Sequence, residues 1–219
     1  MAEKIEDIEN ELPSYIKLAY LPAPAQVRLR LSAYGAAKES ELNAFLNKIV
    51  ERVGDYVYGF DTDTLPVVLG RILKEKGKTL AVAESCTGGY ISHLITSVAG
   101  SSAYFKGAVV AYANEIKVNQ LGVENSALQS EGAVSKAVVE QMALGALKNL
   151  NSDFAIATSG IAGPGGGTAE KLVGLVWIAV ASKDGMFSKE FKFGDNRERT
   201  ILMASLTAMN LLRKEFLIK

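Results

Sequence analysis

TLAVAESCTGGYISHLITSVAG, residues 79–100, decides how the chain reads. Its opening, TLAVAES, is a short continuous apolar run, the pattern of a strand buried on both faces. Its second half, GGYISHLITSVAG, is apolar at helical spacing. Between the two stand Ser85, Cys86 and Thr87 in a row, followed by Gly88 and Gly89. A helix beginning near Thr87 would point unpaired first-turn amides at whatever lies beyond the strand end. Such a place can hold a phosphate or carboxylate, or stabilise the oxyanion formed when a serine attacks an amide. Two glycines would let backbone approach a ligand closely. The same residues serve equally as an ordinary helix N-cap, and ESCTGG alone does not choose.

Working outward, strand and helix patterns keep alternating. TLPVVLGRILKEKG reads as a helix with Pro66 in its first turn and Gly77 past its end. GAVVAY reads as a buried strand ended by Tyr112, and NEIKVNQLG as a short helix capped by Asn114. SKAVVEQMALGALKNL is a helix opened by Ser135, and DFAIATSG the strand after it. LVGLVWIAVAS and MFSKEFKF pair as a hairpin, and NRERTILMASLTAMNLLRKEFL closes the chain. The alternation predicts a layered α/β/α sandwich, a mixed sheet covered by helices, over residues 61–219. Residues 1–60 read as a separate small α+β domain. There YIKLAYL and QVRLRLSAY alternate apolar and polar residues around a PAPA turn, a helix stops at Gly54, and YVYGF suits a third strand.

Composition narrows the function classes. In 219 residues, 24 basic side chains balance 24 acidic ones, so no strong field draws the chain to nucleic acid or an anionic membrane. One cysteine and one histidine leave no disulfide framework and few soft ligands, so no metal is expected. No apolar run reaches a membrane span's ~18 residues. The N-terminus, MAEKIEDIENELPS, is acidic and unlike a signal peptide. A cytoplasmic location is expected.

Two further stretches carry chemistry. SGIAGPGGGTAEKLVG, residues 159–174, is glycine-rich and follows a buried strand. It lacks P-loop spacing, yet it offers exposed amides at a strand end, where open α/β sheets place ligands. YANEIK puts Lys117 one helical turn beyond Asn114. A serine nucleophile needs a base, and His93, the single histidine, falls inside a helix pattern and reads as structural. A lysine desolvated beside apolar groups can fill that role. On pattern alone, however, Lys117 reads as a solvated surface lysine. Lys171 and Arg197 could each hold a phosphate or be solvated end charges, and Cys86 reads as packing.

Taken together, AESCTGG, VAGSSAYFKGAVVAYANEIKVNQLGV, GAVS and SGIAGPGGGTAEKLVGLVWIAV resemble, in order and spacing, the C-terminal domain of the CinA family. That domain also occurs alone as a PncC-like nicotinamide-nucleotide amidase. The segment LPSYIKLAYLPAPAQVRLRLSAYG resembles the KH-type domain that precedes it in full-length CinA. The domain which comes earlier still in full-length CinA is not in this sequence, so a fragment or a shortened homologue is expected. One departure is KLVG, where the family usually has Lys-Pro-Val-Gly.

The resemblance implies hydrolysis of the carboxamide of nicotinamide mononucleotide, in pyridine nucleotide salvage, without metal or organic cofactor. It places the nucleophile on Ser85 and its partners on Lys117 and Tyr112. Thr87, Gly88, Gly89 and Asn114 fall around the reacting group. Ser159, Gly160, Ala162, Gly163 and Gly166 fall in the binding loop, and Lys171 or Arg197 on the phosphate. It also implies a homodimer or larger homo-oligomer. A rival reading is a nucleotide-binding module without catalysis. Nucleic-acid binding through the KH-like unit is not expected, since that unit has no G-x-x-G loop and no basic excess.

Overall fold

The computed structural model describes residues 2–35 and 39–218. They form two compact units, Met1–Phe60 and Asp61–Lys219.

In the first unit, helices α1 (Ala2–Asn10) and α2 (Glu39–Val53) lie against an antiparallel hairpin of β1 (Ile16–Ala23) and β2 (Gln26–Ala33). Leu18 pairs with Leu31 and Tyr20 with Leu29. That shared face packs on Ile5, Ile8, Ile49 and Val53 from the helices. The hairpin turns at Pro24 and Ala25, with Ala25 in the left-handed region at φ 59. Two sequence expectations are corrected here. Residues 2–10 form a helix, where only acidity was read, because Ile5 and Ile8 supply an apolar stripe at i,i+3. α2 does end just before Gly54, at Val53, although Gly54 opens a 3₁₀ turn, Gly54–Tyr56, rather than a left-handed cap. YVYGF forms no strand, since the sheet beside it has only β1 and β2.

The second unit is a five-stranded mixed sheet in the order β4-β3-β5-β6-β7. Its strands are β3 (Leu80–Glu84), β4 (Phe105–Val110), β5 (Phe154–Gly160), β6 (Leu175–Ser182) and β7 (Gly185–Lys192). β3 runs parallel to both β4 and β5, and the β5–β6 and β6–β7 pairs are antiparallel. Alternation along the strands sorts residue size by face. Ala81, Ala155 and Ala181 stand in register in one row, and Ala83, Ala157 and Ala179 in the next. These small side chains let α7 (Lys136–Asn149) lie close on the sheet, through Val139, Met142, Ala143 and Ala146. On α7, Gly145 has no room for a Cβ against the main chain of Leu121, the last residue of α5 (Asn114–Leu121). The larger residues Leu80, Val82, Ile156, Ile178 and Val180 alternate with the alanines and are fully buried. They meet the second layer, α3 (Leu65–Glu75), α4 (Tyr90–Thr96) and α8 (Arg197–Leu212). Each contributes about 1.5–3 kcal/mol by burial.

β4 is an edge strand with alternating burial, ending at Val110. Tyr112 therefore lies past the strand, not at the end of a buried one. A further helix, α6 (Asn125–Glu131), precedes α7. Its Asn-Ser-Ala-Leu-Gln-Ser-Glu sequence buries only Ala127, too little apolar periodicity to read beforehand. Ser135 caps α7, its side chain accepting from the amide of Val138 at 3.4 Å.

Candidate active site

The turns that leave the C-terminal ends of β3, β4 and β5 converge. The chain passes from β3 through α4 to β4 on one face of the sheet. It returns through α5, α6 and α7 on the other, opening a crevice between these strand ends. A cavity of about 310 Å³ occupies it.

The first wall is the turn after β3. Its helix does not begin near Thr87: residues 85–89 form a turn and α4 starts at Tyr90. Gly88 (φ 60) and Gly89 (φ 99) are both in the left-handed region, so this pair is required by the backbone path. Four of the amides expected to be free are already engaged. That of Gly88 donates to the Ser85 carbonyl at 3.1 Å. Those of Gly89, Ile91 and Ser92 donate to the carboxylate of Glu84 at 3.0, 3.1 and 2.9 Å. Ser85 keeps its place through its own amide, which donates to Thr158 O at 3.0 Å, and it lines the cavity. Cys86 is buried, and that burial pushes its thiol up to about 12, so at neutral pH it is an uncharged packing group. Thr87 Oγ1 sits 2.8 Å from Thr158 Oγ1 in the interior.

The second wall is the turn after β4. Asn114 is the first residue of α5 and does not cap it; the residue before it, Ala113, has no side chain to do so. Lys117 is only 1 % exposed, not a solvated lysine. Its Nζ donates to Ala111 O at 2.8 Å and Tyr112 O at 3.1 Å. Burial lowers its pKa from the ordinary lysine value. A Cys86 thiolate would oppose this, but the thiol stays protonated at neutral pH. Tyr112 is 61 % exposed at the cavity mouth. Its hydroxyl accepts from Arg197 Nη2 at 3.2 Å, while Arg197 Nη1 donates to Gly163 O at 2.8 Å. Arg197 thus joins the end of β4 to the glycine-rich loop.

That loop is the third wall. Ser159 Oγ donates to Ala133 O at 2.6 Å. Gly163 (φ 88) has no room for a side chain, since a Cβ would come within 2.6 Å of Val173 Cγ1 and 2.9 Å of Asp195 O. Ser85, Tyr112, Asn114, Lys117, Ser159, Gly160, Ala162, Gly163, Gly166 and Arg197 all line the one cavity. Thr87, Gly88, Gly89 and Lys171 do not. Thr87 is turned into the core and the glycines build the turn. Lys171 Nζ donates to Glu131 O at the end of α6. Among the described residues no group of three or more His, Cys, Asp or Glu side chains could hold a metal ion, and no helix is long and apolar enough to cross a membrane.

Residues 62–216 match the family model of the CinA C-terminal domain, and residues 1–59 match that of the damage-inducible protein CinA KH domain. The chain belongs to the CinA family. A CinA-like protein of Flavobacterium psychrophilum is 47 % identical over 221 residues, covering 99 % of this chain and 53 % of its own length. That of Cytophaga hutchinsonii is 44 % identical over 218 residues, covering 98 % and 52 %. The chain thus spans about half the length of the curated relatives it matches. Among solved structures, the competence/damage inducible protein CihA of Agrobacterium tumefaciens is 39 % identical with a TM-score of 0.65, over 70 % of this chain and 97 % of that one. A CinA superfamily protein of Escherichia coli is 28 % identical with a TM-score of 0.67, over 73 % and 95 %.

In this CinA-family chain, one group at the cavity and one buried beneath the Ser85 turn escaped the sequence reading. Ala133 and Val134, before α7, line its floor; without reactive atoms they give no signal in a single sequence. Glu84 was read only as the end of a strand. Its signal was legible: an acid closing an apolar strand, six residues ahead of a helix start, is placed to meet that helix's unpaired amides.

Proposed function

We propose that the chain is a nicotinamide-nucleotide amidohydrolase, with Ser85 as nucleophile and Lys117 as its base. Residues 61–219 would be the amidohydrolase domain and residues 1–60 an appended KH-like domain. The observation that carries the reading is the burial of Lys117 in the cavity that Ser85 also lines. A neutral amine has two N–H groups and one lone pair. Two carbonyls take the two N–H groups, and the lone pair is the remaining valence.

In the first step Lys117 removes the Ser85 proton as Oγ attacks the carboxamide carbon. The resulting oxyanion falls to the Thr87 amide or to amides of the glycine-rich loop, because those of Gly88 and Gly89 are engaged. The Lys117 ammonium returns its proton to the leaving nitrogen, and ammonia departs. Water, deprotonated in turn by Lys117, then releases nicotinate mononucleotide from Ser85. Arg197, at the mouth, takes the substrate phosphate. The Tyr112 hydroxyl bonds Arg197, while Lys117 reaches only the Tyr112 main-chain carbonyl, which favours a positioning role over a proton relay. The reading carries with it a cytoplasmic, homo-oligomeric enzyme of pyridine nucleotide salvage that uses no metal or organic cofactor.

Ammonia release from nicotinamide mononucleotide by the purified chain tests this. Wild type should form ammonia and nicotinate mononucleotide in equal amounts. Ser85→Ala should form neither and Lys117→Ala should form both at least about a hundredfold more slowly, while each still binds nucleotide in a calorimetric titration. A wild-type chain that binds the nucleotide and releases no ammonia would leave the non-catalytic binding module standing instead.

A further inference from the structure

Building on that reading, we propose that Glu84 is the positioning residue of the nucleophile turn: its carboxylate fixes the main chain on which Ser85 sits. The Glu84 side chain is fully buried. One oxygen accepts from the amides of Gly89 and Ile91 at 3.0 and 3.1 Å. The other accepts from the amide and hydroxyl of Ser92 at 2.9 and 2.6 Å. Among the described residues no lysine or arginine pairs with it. A buried carboxylate without a cation is costly unless its lone pairs are filled. Here four donors fill them, and charge-assisted bonds of this kind are the stronger class.

The arrangement spans the catalytic turn from both sides. The Glu84 carbonyl accepts from the Ala111 amide at 2.7 Å, tying the strand end to β4. The carboxylate reaches forward to residues 89–92, closing a loop that contains Ser85 and Cys86. Gly88 and Gly89 bend the chain back so that those amides arrive at the carboxylate. Ser85 itself lies in no regular element, so this clamp, with its own bond to Thr158, defines where Oγ stands. Glutamine keeps the volume but presents an NH₂ group to N–H donors. Removing the Ser92 hydroxyl deletes one bond of the four.

The chain carries a single cysteine, Cys86, buried on this same turn. Its reaction with an aromatic disulfide reagent, in native buffer far below the melting temperature, therefore reports the turn without any reference to activity. Glu84→Gln should label about tenfold faster than wild type, and Ser92→Ala by a smaller factor. In the amidase assay the same variants should lose kcat, by about tenfold or more for Glu84→Gln, with KM within about threefold. A residue that merely stabilised α4 would lower the melting temperature and leave both readouts of the folded protein at wild-type values. That result in Glu84→Gln overturns the proposal. Should Glu84→Gln not fold, the same result in Ser92→Ala overturns it. A wild-type chain without amidase activity would defeat the functional reading alone, and the labelling rates would then decide the role of Glu84.

Discussion

Replacing Lys117 by alanine probes the chemistry most directly. At the ordinary lysine pKa of 10.5, about 0.03 % of the side chain would be neutral at pH 7, and each unit of lowering multiplies that fraction tenfold. The structure supplies the cause of a lowering: a residue 1 % exposed, with two carbonyls and no carboxylate bonded to its amine. Two consequences follow for kcat, measured as ammonia release from about pH 5.5 to 9.5. In wild type the rate should climb with pH as Lys117 loses its proton and level off above its folded-state pKa, at a pH below 10.5. In Lys117→Ala that limb should vanish and kcat should drop by about 10²–10⁴, the usual contribution of a general base. Affinity for nicotinate mononucleotide should move by less than about threefold, because the amine bonds carbonyls of its own turn rather than the mouth of the cavity. An alanine variant that keeps its rate, or that keeps the wild-type pH limb, refutes Lys117 as the base.

Three other perturbations separate the remaining roles. Arg197→Gln should weaken binding of nicotinamide mononucleotide by about 10- to 100-fold and leave the phosphate-free nucleoside little affected. Lys171→Gln should shift either affinity by less than about threefold; equal losses in the two variants would contradict the assignment of the phosphate to Arg197. Gly174→Ala puts a Cβ against the Gly194 main chain at φ 88, and should lower stability by about 1–3 kcal/mol in urea unfolding. An unchanged midpoint would count against that strain. Hydrogen bonds from the Thr79 hydroxyl, together with its amide and Lys78, hold Asp153 at about 2 against the opposing effect of burial. The folded pKa is depressed, so its contribution is present above the unfolded value of 3.8 and lost as pH falls through about 2. Its carboxylate is 32 % exposed, which discounts the effect to about 1 kcal/mol. Asp153→Asn should remove that part of the acid dependence, read by denaturant titration between about pH 5 and 2.

The layered α/β arrangement was legible because its signals are long and local. TLAVAES and DFAIATSG are continuous apolar runs that only a sheet covered on both faces can bury, and Ser135 marks a helix start by its side-chain chemistry. What failed was the reading of exposure. YANEIK gives no hint that Lys117 turns inward, because its burial comes from packing at the crevice between β3 and β4. GAVVAY looked like an interior strand, yet β4 is the edge of the sheet, and edge position is a property of strand order. The N-terminal helix escaped because two isoleucines among acids make a weak stripe. Ser85, Lys117 and the glycine-rich loop were found together through the family resemblance. Their meeting in one cavity depends on three strands ending side by side, which no single motif encodes.

The glycine pair after Ser85 shows how far a correct motif can carry a wrong reason. Two glycines beside a serine at a strand end suggest an anion cradle, and the amides there do bind a carboxylate. It is the protein's own. With Glu84 taking the amides of Gly89, Ile91 and Ser92, those three are closed to an incoming oxyanion, and the cavity's other glycine-rich wall, Gly160 to Gly166, lines the same cavity as Ser85. The two loops would then divide the work: the first, locked by an internal anion, holds the nucleophile still, and the second, with amides at the cavity, receives charge that develops during the reaction. Preorganised dipoles stabilise such charge best when they need not reorient. That requirement suits a loop tied to Ala133 and Arg197, and under the proposed mechanism it makes the stiffness of the Ser85 turn as much a condition of catalysis as the identity of the serine.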